Sequence, residues 1–239
     1  IRGGIPICWP QFGPHGPLQQ HGFARNSIWN LVETSTGTEN SFAKCVLSLE
    51  SSEDTLKSWN HPFKLTLTAI LSENNLELDW NVMNTSSDSE FEMSGALHSY
   101  FSVADVTKSR VTGLNSGTDK GKYLDNTKNL SEGITEDGTV YFIGEFDRVY
   151  LNSGNELIVE EELNGKYSPR IKITKSVDLP DAVVWNPGAE KSQDMKDLGV
   201  DQYTSFVCVE PALFNKISLS PNSKWNASFN IKALKNTNA

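Results

Sequence analysis

The segment Phe63-Lys64-Leu65-Thr66-Leu67-Thr68-Ala69-Ile70-Leu71, then Ser72-Glu73-Asn74-Asn75, then Leu76-Glu77-Leu78-Asp79-Trp80-Asn81-Val82-Met83, decides the fold class. Apolar and polar residues alternate on both sides of a polar turn cluster, which is the two-residue period of a strand with one buried face. A β-hairpin is expected here. Outward from it, the same alternation runs through 42–49, 157–162, 170–176 and 225–233, each stretch bounded by Gly, Asn, Asp, Ser or Pro. Helical spacing is weak throughout. Its best candidate is 193–198, after the turn at Pro187-Gly188, and one or two helical turns are all that is expected. Many short strands between polar turns predict an all-β chain, a large antiparallel β-sandwich in which the inward residues of two sheets form the core. No linker, charge block or repeat divides the sequence, so residues 1–239 read as a single domain.

Composition narrows the function classes. The chain is 37% hydrophobic and 21% charged, with no apolar run long enough to span a bilayer. A net charge of -9 argues against nucleic acid, whose partners carry a basic patch or stripe. An anionic ligand would need a local cluster of cations. Cys8, Cys45 and Cys208 are widely spaced with no C-x-x-C pair, so reduced thiols and a cytoplasmic protein are expected. Short N-x-[ST] matches at Asn84, Asn129 and Asn226 are of a kind that arises by chance and do not shift this expectation. The sequence opens on Ile1-Arg2-Gly3-Gly4, with no initiator Met or signal-peptide pattern, and part of the natural N-terminus is expected to be missing.

The first 25 residues differ in kind. Arg2-Gly3-Gly4-Ile5-Pro6-Ile7-Cys8-Trp9-Pro10-Gln11-Phe12-Gly13 and His21-Gly22-Phe23-Ala24-Arg25 are too rich in Gly and Pro for regular strands. On composition a stiff structural loop packed across the end of the sheets, its arginines solvated, is the plainer reading, with a binding loop as the alternative. Of four histidines, His98 stands out, in the strand-like run Gly95-Ala96-Leu97-His98-Ser99-Tyr100-Phe101. A buried imidazole there needs a hydrogen-bond partner, and taken alone it is better explained as a satisfied core or interface residue. Glu210 follows the apolar run Phe206-Val207-Cys208-Val209 and precedes Pro211, so it is read at a strand end, facing water or a cleft. Asp147, in Glu145-Phe146-Asp147-Arg148-Val149-Tyr150, is a third candidate, with a surface Asp-Arg pair as the plainer reading. No H-E-x-x-H, P-loop, G-x-G-x-x-G or G-x-S-x-G pattern is found, and neither a metal nor a nucleotide cofactor is indicated.

Six blocks in order give these residues a context: 1–13, 20–25, 96–101, Asp147-Arg148-Val149-Tyr150, Val183-Val184-Trp185-Asn186-Pro187-Gly188 and Cys208-Val209-Glu210-Pro211-Ala212. In them the sequence resembles the aldose 1-epimerase superfamily, and within it the glucose-6-phosphate 1-epimerases, or hexose-6-phosphate mutarotases. The resemblance implies a β-sandwich of galactose-mutarotase type, here without the early strands that precede the Arg-Gly-Gly block in that family. It implies His98 and Glu210 as the catalytic acid and base, Arg2 and Arg25 as contacts to the substrate and its phosphate, and Gln20 and Asp147 as contacts to sugar hydroxyls. Gln20 is preferred to Gln19 for its distance from Arg25. The implied partner is a small sugar phosphate, with no cofactor, no nucleic acid, no membrane and a monomeric state. A free-aldose mutarotase and a non-catalytic carbohydrate-binding sandwich are the competing expectations. A glycoside hydrolase ranks lower, because most pair two carboxylates.

Overall fold

A computed structural model describes residues 2–37, 41–116 and 120–235. The expected hairpin is present as Phe63–Ser72 and Asn75–Asn84, joined by a two-residue turn at Glu73-Asn74, with Phe63 paired to Asn84 and Ser72 to Asn75. This register sets Leu65, Leu67 and Ala69 opposite Val82, Trp80 and Leu78, so both strands turn their apolar residues to one side. The hairpin lies within a nine-stranded sheet whose order is Val140–Tyr141, Ser109–Thr112, Glu156–Leu163, Lys166–Lys175, Lys224–Ala233, Asn75–Asn84, Phe63–Ser72, Phe42–Glu50 and Asn30–Gly37. All of its neighbours are antiparallel.

A second, eight-stranded sheet packs against it. Its order is Ile7–Cys8, Phe91–Leu97, Phe206–Leu219, Asp181–Asn186, Phe146–Tyr150, Gly121–Asp125 and Ser131–Thr135, with Tyr100–Ser102 also pairing with Phe206–Leu219. Between the sheets lies the main core, in which Phe63, Leu65, Trp80 and Val82 from one side meet Met93, Leu97, Val207 and Val209 from the other. The eight-stranded sheet is buried on both faces. Val207 and Val209 point into the main core, whereas Val183, Val149, Ala96, Ala212 and Cys8 form a smaller apolar cluster on the opposite face under Phe12. Asp181–Asn186 is accordingly buried at all six positions, and a strand in that situation shows no alternation in its sequence.

The Gly/Pro-rich N-terminal segment covers the outer face of this sheet. Trp9 anchors it from within the core, packing edge-on against Phe63 at 4.7 Å and Trp59 at 5.1 Å, with its indole N–H donating to Met93 Sδ. Backbone bonds then stitch it down: His98 N donates to Pro6 O, Tyr100 N to Gly4 O and Ser94 N to Pro10 O. Phe23 N and Ala24 N both donate to Trp9 O, which brings the chain at Gly22 against Trp9. A Cβ on Gly22, whose φ is +67, would lie 2.2 Å from the Trp9 carbonyl oxygen, so only glycine fits there.

Two sequence expectations need correction. The strand holding Glu210 does not end before Pro211 but runs from Phe206 to Leu219, so Glu210 is a mid-strand residue. The short helix begins at the Pro-Gly turn and spans Gly188–Gln193, ahead of the 193–198 stretch, because Asn186 Oδ1 accepts from Gly188 N and starts the turn there. A six-residue helix at Glu53–Ser58, closed by a capping box between Ser52 and Thr55, was not foreseen. Among the described residues no helix is long and apolar enough to cross a membrane.

Candidate active site

Strand alternation and register place the candidate residues on the outer face of the eight-stranded sheet. Val209 turns to the core, so Glu210 turns outward. Its cross-strand partner is Val183, which is paired in turn to Val149, while Trp185, two residues on from Val183, faces Asp147. Glu210 and Asp147 thus share one face two strands apart. His98 arrives from another direction. The strand Phe91–Leu97 stops just before it, and the bond from His98 N to Pro6 O fixes the backbone where the ring can lean over Glu210.

His98 Nδ1 lies 3.2 Å from Glu210 Oε1, with both side chains almost fully enclosed. The approach is close but not aligned as a hydrogen bond, so His98 Nδ1 is without a partner, and so is Glu210 Oε2. The ring is held on its other sides: Tyr100 stacks on it at 4.9 Å with planes 5° apart, and Trp185 and His21 meet it edge-on at 5.7 Å. Buried polar atoms without partners are costly, and they persist where a site is shaped for something other than stability.

The electrostatics follow from the enclosure. Burial first, then the nearby His21 and Arg25, lowers the His98 pKa to about 3. Burial first, then the Asp147 carboxylate, raises Glu210 well above the ordinary carboxylate range. Both effects favour neutral side chains, whereas the resemblance implied Glu210 as the base, a role that needs it ionised. Asp147 is itself raised, by burial and against the bond that it accepts from Asn126 Nδ2 at 2.6 Å.

The cleft above this pair measures about 610 Å³, room for a hexose, and Arg2, Gln20, His98, Asp147 and Glu210 all line it. A second recess of about 350 Å³ adjoins it across Arg2, Gln20, His21 and His98, and there Arg25 joins the lining. Arg25 is therefore at the recess, not over the main cleft. Its Nη2 donates to Gln20 O, and Arg2 Nε donates to Asp197 Oδ2 at 3.0 Å, which leaves guanidinium N–H groups on both side chains for a ligand. Of the six residues singled out in the sequence, five thus line the main cleft and Arg25 lines the adjoining recess.

Others at the site were not singled out. His21 sits between the pair and the arginines, at a positive φ of 67, with Nδ1 accepting from Gly13 N and its pKa lowered to about 4 by burial and by Arg25 and Arg2. It was visible as the first residue of the His-Gly-Phe-Ala-Arg block, but as one of several loop histidines nothing distinguished it. Trp185 and Tyr100 lie in quoted blocks as well. Asn126 and Lys191 line the cleft from turns and a short helix that carry no sequence signal.

The comparisons with known proteins bear on the whole chain. A family profile described as aldose 1-epimerase matches residues 1–232. A protein of Cenchrus ciliaris named "putative glucose-6-phosphate 1-epimerase" is 39% identical over 98% of this chain and 70% of its own length. A protein of the same name from Escherichia coli is 38% identical over 89% of this chain and 67% of its own. Among solved structures, a "putative mutarotase" from Salmonella typhimurium superposes with a TM-score of 0.86 at 32% identity, covering 98% of this chain and 75% of that one.

Proposed function

The chain belongs to the aldose 1-epimerase family, and on that premise we propose that it is an epimerase interconverting the α and β anomers of a hexose 6-phosphate such as glucose 6-phosphate, with His98 and Glu210 as its proton-transfer pair. One juxtaposition supports this most: an imidazole nitrogen and a carboxylate oxygen 3.2 Å apart on the floor of a hexose-sized cleft, beside a recess that presents Arg2 and Arg25.

Anomer exchange removes a proton from the C1 hydroxyl, delivers one to the ring oxygen and breaks the bond between C1 and that oxygen. The open aldehyde turns about C1–C2, and the ring closes on the other face with both transfers reversed. The protein must supply one donor and one acceptor, and a pair that holds one proton between its members does so whichever member carries it. Burial favours the proton on Glu210 and a neutral His98, which supports opening with the carboxyl as donor to the ring oxygen and the imidazole as acceptor from the hydroxyl, the reverse of the start that the resemblance implies, with Glu210 as base and His98 as acid. Closure exchanges the roles. No covalent intermediate forms. Asp147 and Gln20 serve the sugar hydroxyls from the cleft walls.

Phosphate carries a charge of about -1.5 to -2 at neutral pH, and a chain with net charge -9 repels it unless the site is locally positive. Guanidinium forks match phosphate oxygens two at a time, and Arg2 and Arg25 stand together at the recess. Magnetisation-exchange NMR on equilibrated glucose 6-phosphate tests the reading, with glucose as the control. The expected result is faster anomer exchange for the phosphate ester than for the free sugar. Equal acceleration of both would remove the phosphate assignment, and acceleration of neither would remove the activity.

A further inference from the structure

Cys208 is two residues before Glu210 on the same face of the strand, fully buried, and the proton transfer leaves it idle. Its thiol is part of a cluster. Cys208 Sγ, one ring nitrogen of His98 and one carboxylate oxygen of Glu210 all lie within 4.8 Å of one another. Two polar atoms at this spot, His98 Nδ1 and Glu210 Oε2, have no hydrogen-bond partner. Sulfur, imidazole nitrogen and carboxylate oxygen form the donor set that zinc takes in tetrahedral sites, at about 2.3, 2.0 and 2.1 Å. Those bond lengths put neighbouring donors about 3.3–3.7 Å apart, so donors as far as 4.8 Å apart must close by about 1–1.5 Å, and His98 and Glu210, which line the cleft, put the site at its floor.

We propose that Cys208, His98 and Glu210 form a binding site for a thiophilic divalent cation such as Zn²⁺, whose occupation ties up both proton carriers and switches the enzyme off. The inhibitory part rests on the function proposed above, and the binding part does not. The charges balance: the cation displaces one proton from the Cys208 thiol and one from the Glu210 carboxyl, and a dication held by a thiolate, a carboxylate and a neutral imidazole has no net charge. A neutral complex is the form of metal site that an enclosed cleft accommodates. Release of those two protons makes binding tighten as pH rises. Mg²⁺, which prefers oxygen donors and keeps its waters, is a poor occupant. The site is thus selective for soft metals, and the reaction itself calls for none.

Titration of the protein with Cd²⁺, read by thiolate-to-metal charge-transfer absorption, tests binding, and Zn²⁺ inhibition of glucose 6-phosphate exchange tests the consequence. The expected result is a charge-transfer band complete at one equivalent of Cd²⁺, retained in Cys8→Ala/Cys45→Ala, where Cys208 is the last thiol, and lost in Cys208→Ser. Zn²⁺ should inhibit wild type reversibly on chelation, and Cys208→Ser, with each protein referred to its own metal-free rate, should need at least about tenfold more. No band in wild type or in the double variant, or a band that survives in Cys208→Ser, overturns the site. Equal Zn²⁺ sensitivity of wild type and Cys208→Ser overturns the switch. The double variant decides the question even where Cys208→Ser fails to fold. A protein with the Cys208-dependent band but no exchange activity would sink the proposed function while supporting the site, and normal exchange with no band would do the reverse.

Discussion

The two faces of the strand Phe206–Leu219 are one residue apart in sequence and opposite in purpose. Val207 and Val209 point into the main core, where apolar contact excludes water and stabilises the fold. Glu210, between Val209 and Pro211, points the other way and is equally dry, but there the exclusion of water acts on a titratable group. The main core also holds an unpartnered polar atom, Trp80 Nε1, yet that group is neutral at any ordinary pH. The cleft holds its unpartnered atoms on a carboxyl and an imidazole, whose protonation the enclosure shifts. The same desolvation therefore stabilises the fold on one side of the sheet and, on the proposed mechanism, tunes the proton carriers on the other.

Substitutions can break or sharpen that contrast. The largest effect is expected on the cleft face. Glu210→Gln or His98→Asn should lower kcat for glucose 6-phosphate exchange by about 10²–10⁴ with the far-UV spectrum unchanged, and near-normal turnover in either would take that residue out of the mechanism. On the core face, Leu65→Ala should cost about 2–5 kcal/mol of stability, read as a lower denaturant midpoint, while kcat of the folded fraction holds. A kcat loss matching that of the pair would mean that the two faces are not separable. At the recess, Arg25→Ala should raise KM for glucose 6-phosphate by roughly tenfold to a hundredfold, since a hydrogen bond to a charged group is worth about 1.5–3 kcal/mol, and leave glucose exchange unchanged. An equal loss for both sugars would count against a phosphate role.

The smallest effect has the opposite sign. Glu210 has a raised pKa in the folded chain, so above its unfolded value of about 4.3 folding works against the ionised form, and that cost is present at neutral pH. Glu210→Gln should then raise Tm at pH 7, by roughly 2–4 °C for each kcal/mol relieved, while it removes activity. At pH 3.5 the unfolded chain is protonated as well and the gain should shrink. A Tm that falls at pH 7 would show Glu210 to be a stabilising residue. For His98 the sign reverses: a pKa lowered to about 3 keeps the folded ring neutral while the unfolded chain takes up a proton below about 6.5, so stability is lost as pH falls through that window. The His98 Cε1–H NMR shift should accordingly stay flat between pH 5 and 8.

The nine-stranded sheet was far easier to read in the sequence than the face that carries the candidate site. In the hairpin from Phe63 to Asn84 one side is buried and the other wet, so alternation is written into the residues. Asp181–Asn186, covered on both sides, shows a nearly unbroken apolar run and gave no register. Glu210 was misread as a strand end because proline usually closes a ladder, yet here the strand passes through it. His98 and Glu210 stand 112 positions apart, and no local pattern joins them. The resemblance joined them, and the antiparallel pairing of Phe206–Leu219 with Phe91–Leu97 on one side and Asp181–Asn186 on the other supplies the physical reason. Asn126 and Lys191 stayed hidden because a turn and a six-residue helix have no periodicity to betray what they face.

The placement of Phe206–Leu219 also governs when this chain can begin to work during its synthesis. It is a central strand of its sheet, and it leaves the ribosome after both neighbours and after the N-terminal segment that carries the arginines. A nascent chain released short of residue 206 lacks this strand, so its sheet is left as two parts with exposed facing edges, which are sticky, and it has no proton pair, which makes it inert. Turnover is therefore an all-or-nothing report on the insertion of Phe206–Leu219, and in a refolding mixture the enzyme assay counts molecules with that strand in place while spectroscopy counts strands.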